Sequence, residues 1–132
     1  MVKKYFKKII AQSPQDLQVI SACCQGGKIK IEEIKYLPKN KIFLFLIERN
    51  TREKENPKEK VKSIVKFEYI EKSKSKNIDR TKVDSFVELT AINLFKNNKN
   101  YEITLLFSDN GIITLSAEIV EVVLEDQNIK ND

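Results

Sequence analysis

The sequence predicts a mainly β chain of the α+β kind: an antiparallel β-barrel or sandwich of six to eight strands with one short N-terminal helix. Three observations carry this. Apolar residues alternate with period two in segment after segment, and turn residues interrupt them at short intervals. A helical period occurs clearly only once, near the N-terminus, so there is no βαβ alternation. Strands in that arrangement bury their apolar faces in a sheet that closes or folds over on itself, with the helix covering an opening.

Residues 5–12 read as a first strand with Tyr5 and Ile9-Ile10 as its apolar content, interrupted by lysines. Ser13-Pro14 then starts a helix: Ser13 is an N-cap and Pro14 sits where a missing N–H costs nothing. Asp16 completes a capping-box spacing and favours the positive end of the helix dipole. Leu17, Ile20 and Cys24 form one apolar stripe flanked by Val19 and Cys23, and Gly26-Gly27 ends the helix.

Residues 28–37 and 41–49 form a hairpin around Pro38-Lys39-Asn40, with a break at Glu32-Glu33. Its second strand holds IFLFLI (Ile42 to Ile47), apolar on both faces and so deeply placed. Residues 50–60 are polar throughout and make an exposed loop. From Val61 a single strand runs to about Lys72, with Val61, Val65, Phe67 and Tyr69 inward and Lys62, Lys66, Lys72, Lys74 and Lys76 outward.

NIDRTKVD (Asn77 to Asp84) is a connection. The next strand sets Val87, Leu89 and Ala91 against Phe86, Thr90 and Ile92, and ends in the polar turn Lys96 to Asn100. The clearest hairpin is YEITLLFSDNGIITLSAE. A three-residue loop, Asp109-Asn110-Gly111 with Gly111 left-handed, pairs Phe107 with Ile113, Leu105 with Leu115 and Ile103 with Ala117. Residues 118–126 fit strand or helix, and their β-branched content favours strand. Residues 127–132 are expected to fray. All 132 residues make one domain, long enough to bury roughly 65–70% of its extended-chain surface.

The opening MVKKYFKKIIAQSP has the lysines of a signal peptide without its apolar stretch, which predicts a cytoplasmic protein. The longest apolar run is six residues, so no membrane role is expected. The net charge of +5 points towards an anionic partner, yet it is almost all lysine; the arginines are Arg49, Arg52 and Arg80. Phosphate readers favour the bidentate arginine fork, which weakens a nucleic-acid role.

The chain has no histidine and three glycines, which excludes a Ser-His-Asp or Cys-His set and a phosphate-cradling loop. No catalytic residue, metal site or cofactor is predicted. Cys23 and Cys24 are adjacent, too close for an unstrained disulfide and too few for a metal site, so they read as packing at the end of the helix. The paired carboxylates Glu32-Glu33 and Glu125-Asp126 read as solvated surface. In IDRTKVD, Asp79 caps a turn and Arg80 pairs with Asp79 or Asp84 in the structural account. In the functional account Lys72, Lys74, Lys76, Arg80 and Lys82 form one anion-attracting stripe. No aromatic residues interleave them for base stacking.

Several segments in one order resemble a small, mostly alphaproteobacterial family catalogued as domain of unknown function 2948. They are Asp16 to Gln25, Tyr36 to Leu46, Asn77 to Asp84 with the following FVELTAINLF, and Ile103 to Asp126. Where members often read SAHLQDA this chain reads SACCQGG, with Cys23 in the histidine place and Gly26 in that of the aspartate. The resemblance implies a bacterial cytosolic protein and carries no activity with it. The sequence thus predicts a non-enzymatic protein-interaction module, working through a sheet edge or self-association. The alternative is an anion or nucleic-acid binder using residues 72–82.

Overall fold

The computed structural model describes residues 7–50 and 60–127. In chain order its elements are β1 (Lys8–Ala11), α1 (Pro14–Cys24), β2 (Lys28–Leu37), β3 (Ile42–Asn50), β4 (Lys60–Phe67), β5 (Ile70–Lys76), β6 (Phe86–Asn97), β7 (Asn100–Phe107), β8 (Ile112–Ala117) and β9 (Val122–Asp126). A single 3-10 turn spans Ser108–Asn110. All nine strands join one antiparallel sheet in the order β1-β9-β4-β3-β2-β6-β7-β8-β5. The chain is mainly β with one short helix, as expected. Among the described residues the sheet has more strands than the six to eight expected and is open, with β1 and β5 as its edges.

Strict alternation builds the core. Phe43, Phe45 and Ile47 of β3, Val65 and Phe67 of β4, Ile103, Leu105 and Phe107 of β7, Ile113, Leu115 and Ala117 of β8, and Val122 and Leu124 of β9 are all buried in one cluster. Each large apolar side chain so buried contributes about 1.5–3 kcal/mol. Phe67 packs between Phe43 and Phe45, at 5.9 Å between ring centroids in both pairs. The helix adds Leu17, Ile20 and Cys24, the stripe its spacing predicts. Ser13 caps it by accepting the Asp16 N–H at 3.2 Å. Gly26 ends it at φ +82°, a conformation that glycine adopts freely.

β6 is the strand on which the sheet turns. Its start (Phe86 to Glu88) pairs with β2, and from Leu89 onward it pairs with β7, with a register shift between Leu89 and Ala91. The shift reverses the alternation, so Leu89 and Ile92 are both buried although strict alternation sets them on opposite faces. The helix end sits on this bend: Gly26 N donates to Leu89 O, Leu89 N to Gly27 O, and Ile92 N to Ser21 Oγ, at 2.8–2.9 Å.

Three further expectations are corrected. Residues 61–76 are two strands that lie far apart in the ladder. Tyr69 takes φ 60° between them, which inverts the parity, so Tyr69 is exposed and Ile70 is buried. Lys62 and Lys66 therefore belong to β4 and do not extend the lysine row of β5. In the β7–β8 hairpin the loop is Ser108–Asn110, and Leu105 faces Ile113 and Ile103 faces Leu115. Asp109 and Asn110 take the left-handed conformations, which their short polar side chains tolerate. Gly111 serves a different need: a Cβ there would come within 3.0 Å of Ile78 Cγ1. The slip is two residues, so the buried set is unchanged.

The third correction concerns Asp126, expected on the surface and in fact buried together with Arg49 and Ser63. Arg49 Nη2 donates to both carboxylate oxygens of Asp126, at 2.7 and 2.9 Å, and Arg49 Nε donates to Ser63 Oγ at 2.9 Å. Ser63 Oγ donates to Asp126 Oδ1 at 2.6 Å, and the Lys7 N–H donates to Oδ2 at 2.9 Å. Burial pushes the Asp126 pKa up. The hydrogen bonds from Ser63, Arg49 and Lys7 N, with the Arg49 charge, outweigh it and hold the carboxyl below the ordinary aspartate range. The network links the segment entering β1 to β3, β4 and β9. Gln127, expected to fray, donates its N–H to Lys62 O at 2.8 Å. The 118–126 segment resolves as strand β9 from Val122. Tyr5, residues 51–59 of the expected loop and residues 128–132 of the expected tail lie outside the described residues.

Next to this network, Cys24 is buried, and burial pushes its thiol up to about 12, with the Arg49 charge pulling the other way. Cys23 is half-buried, its sulfur 4.0 Å from Lys7 Nζ.

Phe67→Ala should cost about 3–5 kcal/mol in denaturant unfolding. Arg49→Met leaves a buried carboxylate without its cation and should cost about 3–5 kcal/mol at neutral pH. Because Asp126 titrates lower folded than unfolded, its contribution to stability is present above about pH 4 and is lost as pH falls through the folded value. Asp126→Asn should therefore flatten the acid limb of the stability curve while lowering stability at pH 7. In a thiol-reagent titration at pH 8, Cys24 should stay unlabelled in the native protein and react on unfolding.

Candidate functional site

β5 occupies one end of the sheet, with β8 as its single hydrogen-bonded strand neighbour among the described residues. Both ends of the strand are fixed. Ile70 N donates to Lys41 O at 2.8 Å, and Ile70 O accepts from the Tyr36 hydroxyl at 3.2 Å. At the other end Asn77 takes φ 60° and its side chain donates to Asn110 O at 3.0 Å. Between these anchors the sequence EKSKSK alternates by strand parity. Ser73 and Ser75 share a face with the buried Leu115 and Ile113, while Lys72, Lys74 and Lys76 share the opposite face with Ser116, Thr114 and Ile112.

The three ammonium groups project from exposed positions at a repeat of about 7 Å. Their cross-strand neighbours are uncharged, and no carboxylate lies within ion-pair distance among the described residues.

The remaining two residues of the expected stripe lie apart from this row. Arg80 Nη2 donates to Ile34 O at 2.8 Å, where the β2–β3 pairing shifts register between Ile29 and Ile34. Its head group thus closes the bulge that Glu32-Glu33 signalled, in place of a bond to Asp79 or Asp84. Asp79 accepts from Thr81 N at 3.0 Å and from the Thr81 hydroxyl, and these two bonds lower its pKa. Lys82 is exposed in the same turn, its N–H donating to Asp79 O at 3.2 Å. Structure therefore brings Lys72, Lys74 and Lys76 together, and commits Arg80 to the backbone of β2.

The outer face of the rest of the sheet is arranged differently. Lys62, Glu48, Lys28 and Glu88 lie side by side across β4, β3, β2 and β6 with alternating sign, and Lys8 faces Glu125. Lys60 reaches Glu48 at 3.4 Å and Lys30 reaches Glu32 at 3.0 Å. A cross-strand pair such as Glu48 with Lys62 contributes about 0.2–1 kcal/mol, and the alternation of sign leaves little net field.

At the β4–β5 turn the Glu68 pKa is raised by a hydrogen bond with Glu121, and the Glu71 pKa by one with Glu118, whose own values are lowered in turn. These glutamates gave no sequence signal, because the turn that joins them depends on the left-handed Tyr69. One cleft, of about 750 Å³, is lined by Asn97 to Glu102 and Ser116. A second, of about 400 Å³, lies between Pro14, Tyr101 and Ile119. Neither reaches Arg80 or Lys82.

Among the described residues no group of three or more Cys, Asp or Glu side chains is placed to hold a metal ion. No helix among them is long and apolar enough to cross a membrane. Arg49, Ser63 and Asp126 are the polar cluster that sequence reasoning missed. The signal was present: each continues the inward parity of its strand, after Ile47, between Val61 and Val65, and after Leu124.

Comparison with known proteins leads to a family and stops there. The chain matches no curated protein and no solved structure. A family model described as a protein of unknown function, DUF2948, matches residues 7–131, which takes in every strand, the helix and the lysine edge. On that match the chain belongs to the DUF2948 family.

Proposed function

We propose that this protein is a non-enzymatic interaction module that receives a protein partner along the open edge of β5. The observation that carries the reading is that edge itself: a seven-residue strand, anchored at both ends, whose one paired strand among the described residues is β8. Exposed edges template pairing with another chain, and strand addition is a recurrent mode of peptide recognition. The lack of histidine, which rules out a Ser-His-Asp or Cys-His set, supports a binding role over catalysis. The free thiols of Cys23 and Cys24 suit a reducing compartment, and on that ground we place the module in the bacterial cytoplasm.

A second reading follows from the unpaired lysines. Lys72, Lys74 and Lys76, with Lys82 and Arg80 nearby in sequence, would attract an anion or nucleic acid. The engagement of Arg80 by Ile34 O argues against it.

Ser75→Pro removes an edge N–H and should abolish capture of partners from a lysate of the source cell. Its unfolding free energy should change by about 1–2 kcal/mol at most. Unchanged capture by this variant would refute the edge reading. If the lysines bind nucleic acid instead, log K against log salt for an oligonucleotide should have a slope of about −2 to −3, as three phosphate contacts require.

A further inference from the structure

The hydrogen-bond phase of the β7–β8–β5 ladder fixes which backbone groups of β5 are free. Phe107 N donates to Gly111 O at 2.9 Å, and the pairing continues unshifted as Leu105 with Ile113 and Ile103 with Leu115. In an antiparallel pair, bonded and non-bonded residue pairs alternate. Residues 111, 113 and 115 therefore bond to β7, and residues 112, 114 and 116 turn their N–H and C=O to the opposite side, towards β5. Their partners are Lys76, Lys74 and Lys72. The N–H and C=O groups of Ser73 and Ser75 consequently point away from the sheet.

This phase has a consequence for side chains. A strand added to the edge bonds to the backbones of Ser73 and Ser75, and lies opposite Lys72, Lys74 and Lys76 in non-hydrogen-bonded pairs. Those are the pairs in which Cα atoms come closest, at about 4.5 Å, and side chains interact most strongly. Three lysines meet the incoming strand at every second residue, and β8 supplies no carboxylate to neutralise them. A second copy of β5 would set lysine against lysine, so self-pairing at this edge is disfavoured. A nucleic acid would have no use for the free groups of Ser73 and Ser75 and finds no aromatic platform on β5.

We infer that the partner of this edge is an extended acidic segment, with Asp or Glu at alternate positions, that adds to β5 as a tenth strand. The inference rests on the edge reading above and specifies its ligand chemistry. The acidic side chains lie over Lys72, Lys74 and Lys76, and the intervening residues lie beside Ser73 and Ser75, where small or β-branched side chains fit.

The test uses the full chain and three capped synthetic peptides: Thr-Glu-Val-Glu-Val-Glu-Thr, the same peptide with Gln for Glu, and the same with Lys as its central residue. The glutamate peptide should bind and slow amide exchange at Ser73 and Ser75. The triple variant K72Q/K74Q/K76Q should bind it about tenfold more weakly, from a factor of about two to three per lost charge pair. Lys74→Glu should lose affinity for the glutamate peptide and gain it for the peptide with central Lys. Equal binding of the glutamine peptide, with the same protection of Ser73 and Ser75, would overturn the acidic partner and leave the edge reading standing. Protection by no peptide would remove both. Tight binding of a twelve-residue oligothymidylate without protection of those amides would overturn the inference in favour of an anion site.

Discussion

The long strand β6 is the constraint on which the structure depends. A flat ladder of nine strands has one face too many to hide in so short a chain. β6 solves this by pairing with β2 over its first three residues and with β7 over the rest, with a register shift at the change. The shift bends the strand and turns its alternation, so that both halves of the sheet present apolar residues to one cluster. The helix is held at the bend by the bonds to Leu89 and Ile92, and fills the space the fold leaves. Because the sheet bends and does not close, two edges remain among the described residues. The short β1 has the helix beside it, and β5 is left with three lysines.

Much of this was legible in the sequence, for reasons that differ by element. The helix was written at every level: Ser13 for the cap, Pro14 for the first turn, a stripe at the right period, and a glycine at the left-handed position. The β2–β3 hairpin and the break at Glu32-Glu33 could be read from turn residues and alternation. Two features could not. The inversion at Tyr69 depends on a bulky residue taking φ 60°, which no local preference favours. The shift between Leu89 and Ala91 is imposed by the bend of the whole sheet. In the β7–β8 hairpin, a slip of two residues conserves the faces, so burial alone could not choose the register.

The candidate site was half legible. The row Lys72, Lys74, Lys76 follows from strand parity. That the strand is an edge is a property of topology, and sequence is nearly silent on which strands lie outermost. Arg80 was grouped with the lysines by proximity in sequence, yet a carbonyl exposed by the bulge in β2 claims it. The buried trio went unread for the opposite reason. An arginine, a serine and an aspartate are ordinary surface residues one at a time. They become a core feature only when β9 is seen to pair with β4 and brings Asp126 opposite Ser63.

That placement of β9 bears on how the protein is made. Among the described strands β9 comes after all the others in the sequence, yet it lies between β1 and β4, and the bond from Lys7 N to Asp126 spans 119 positions of the chain. Until β9 is in place, β1 lacks the one strand it pairs with among the described residues and β4 offers a bare, apolar margin to any neighbour. Docking of β9 is thus the step that seals the fold, and a chain cut before Val122 would display two unsatisfied margins in place of one finished core.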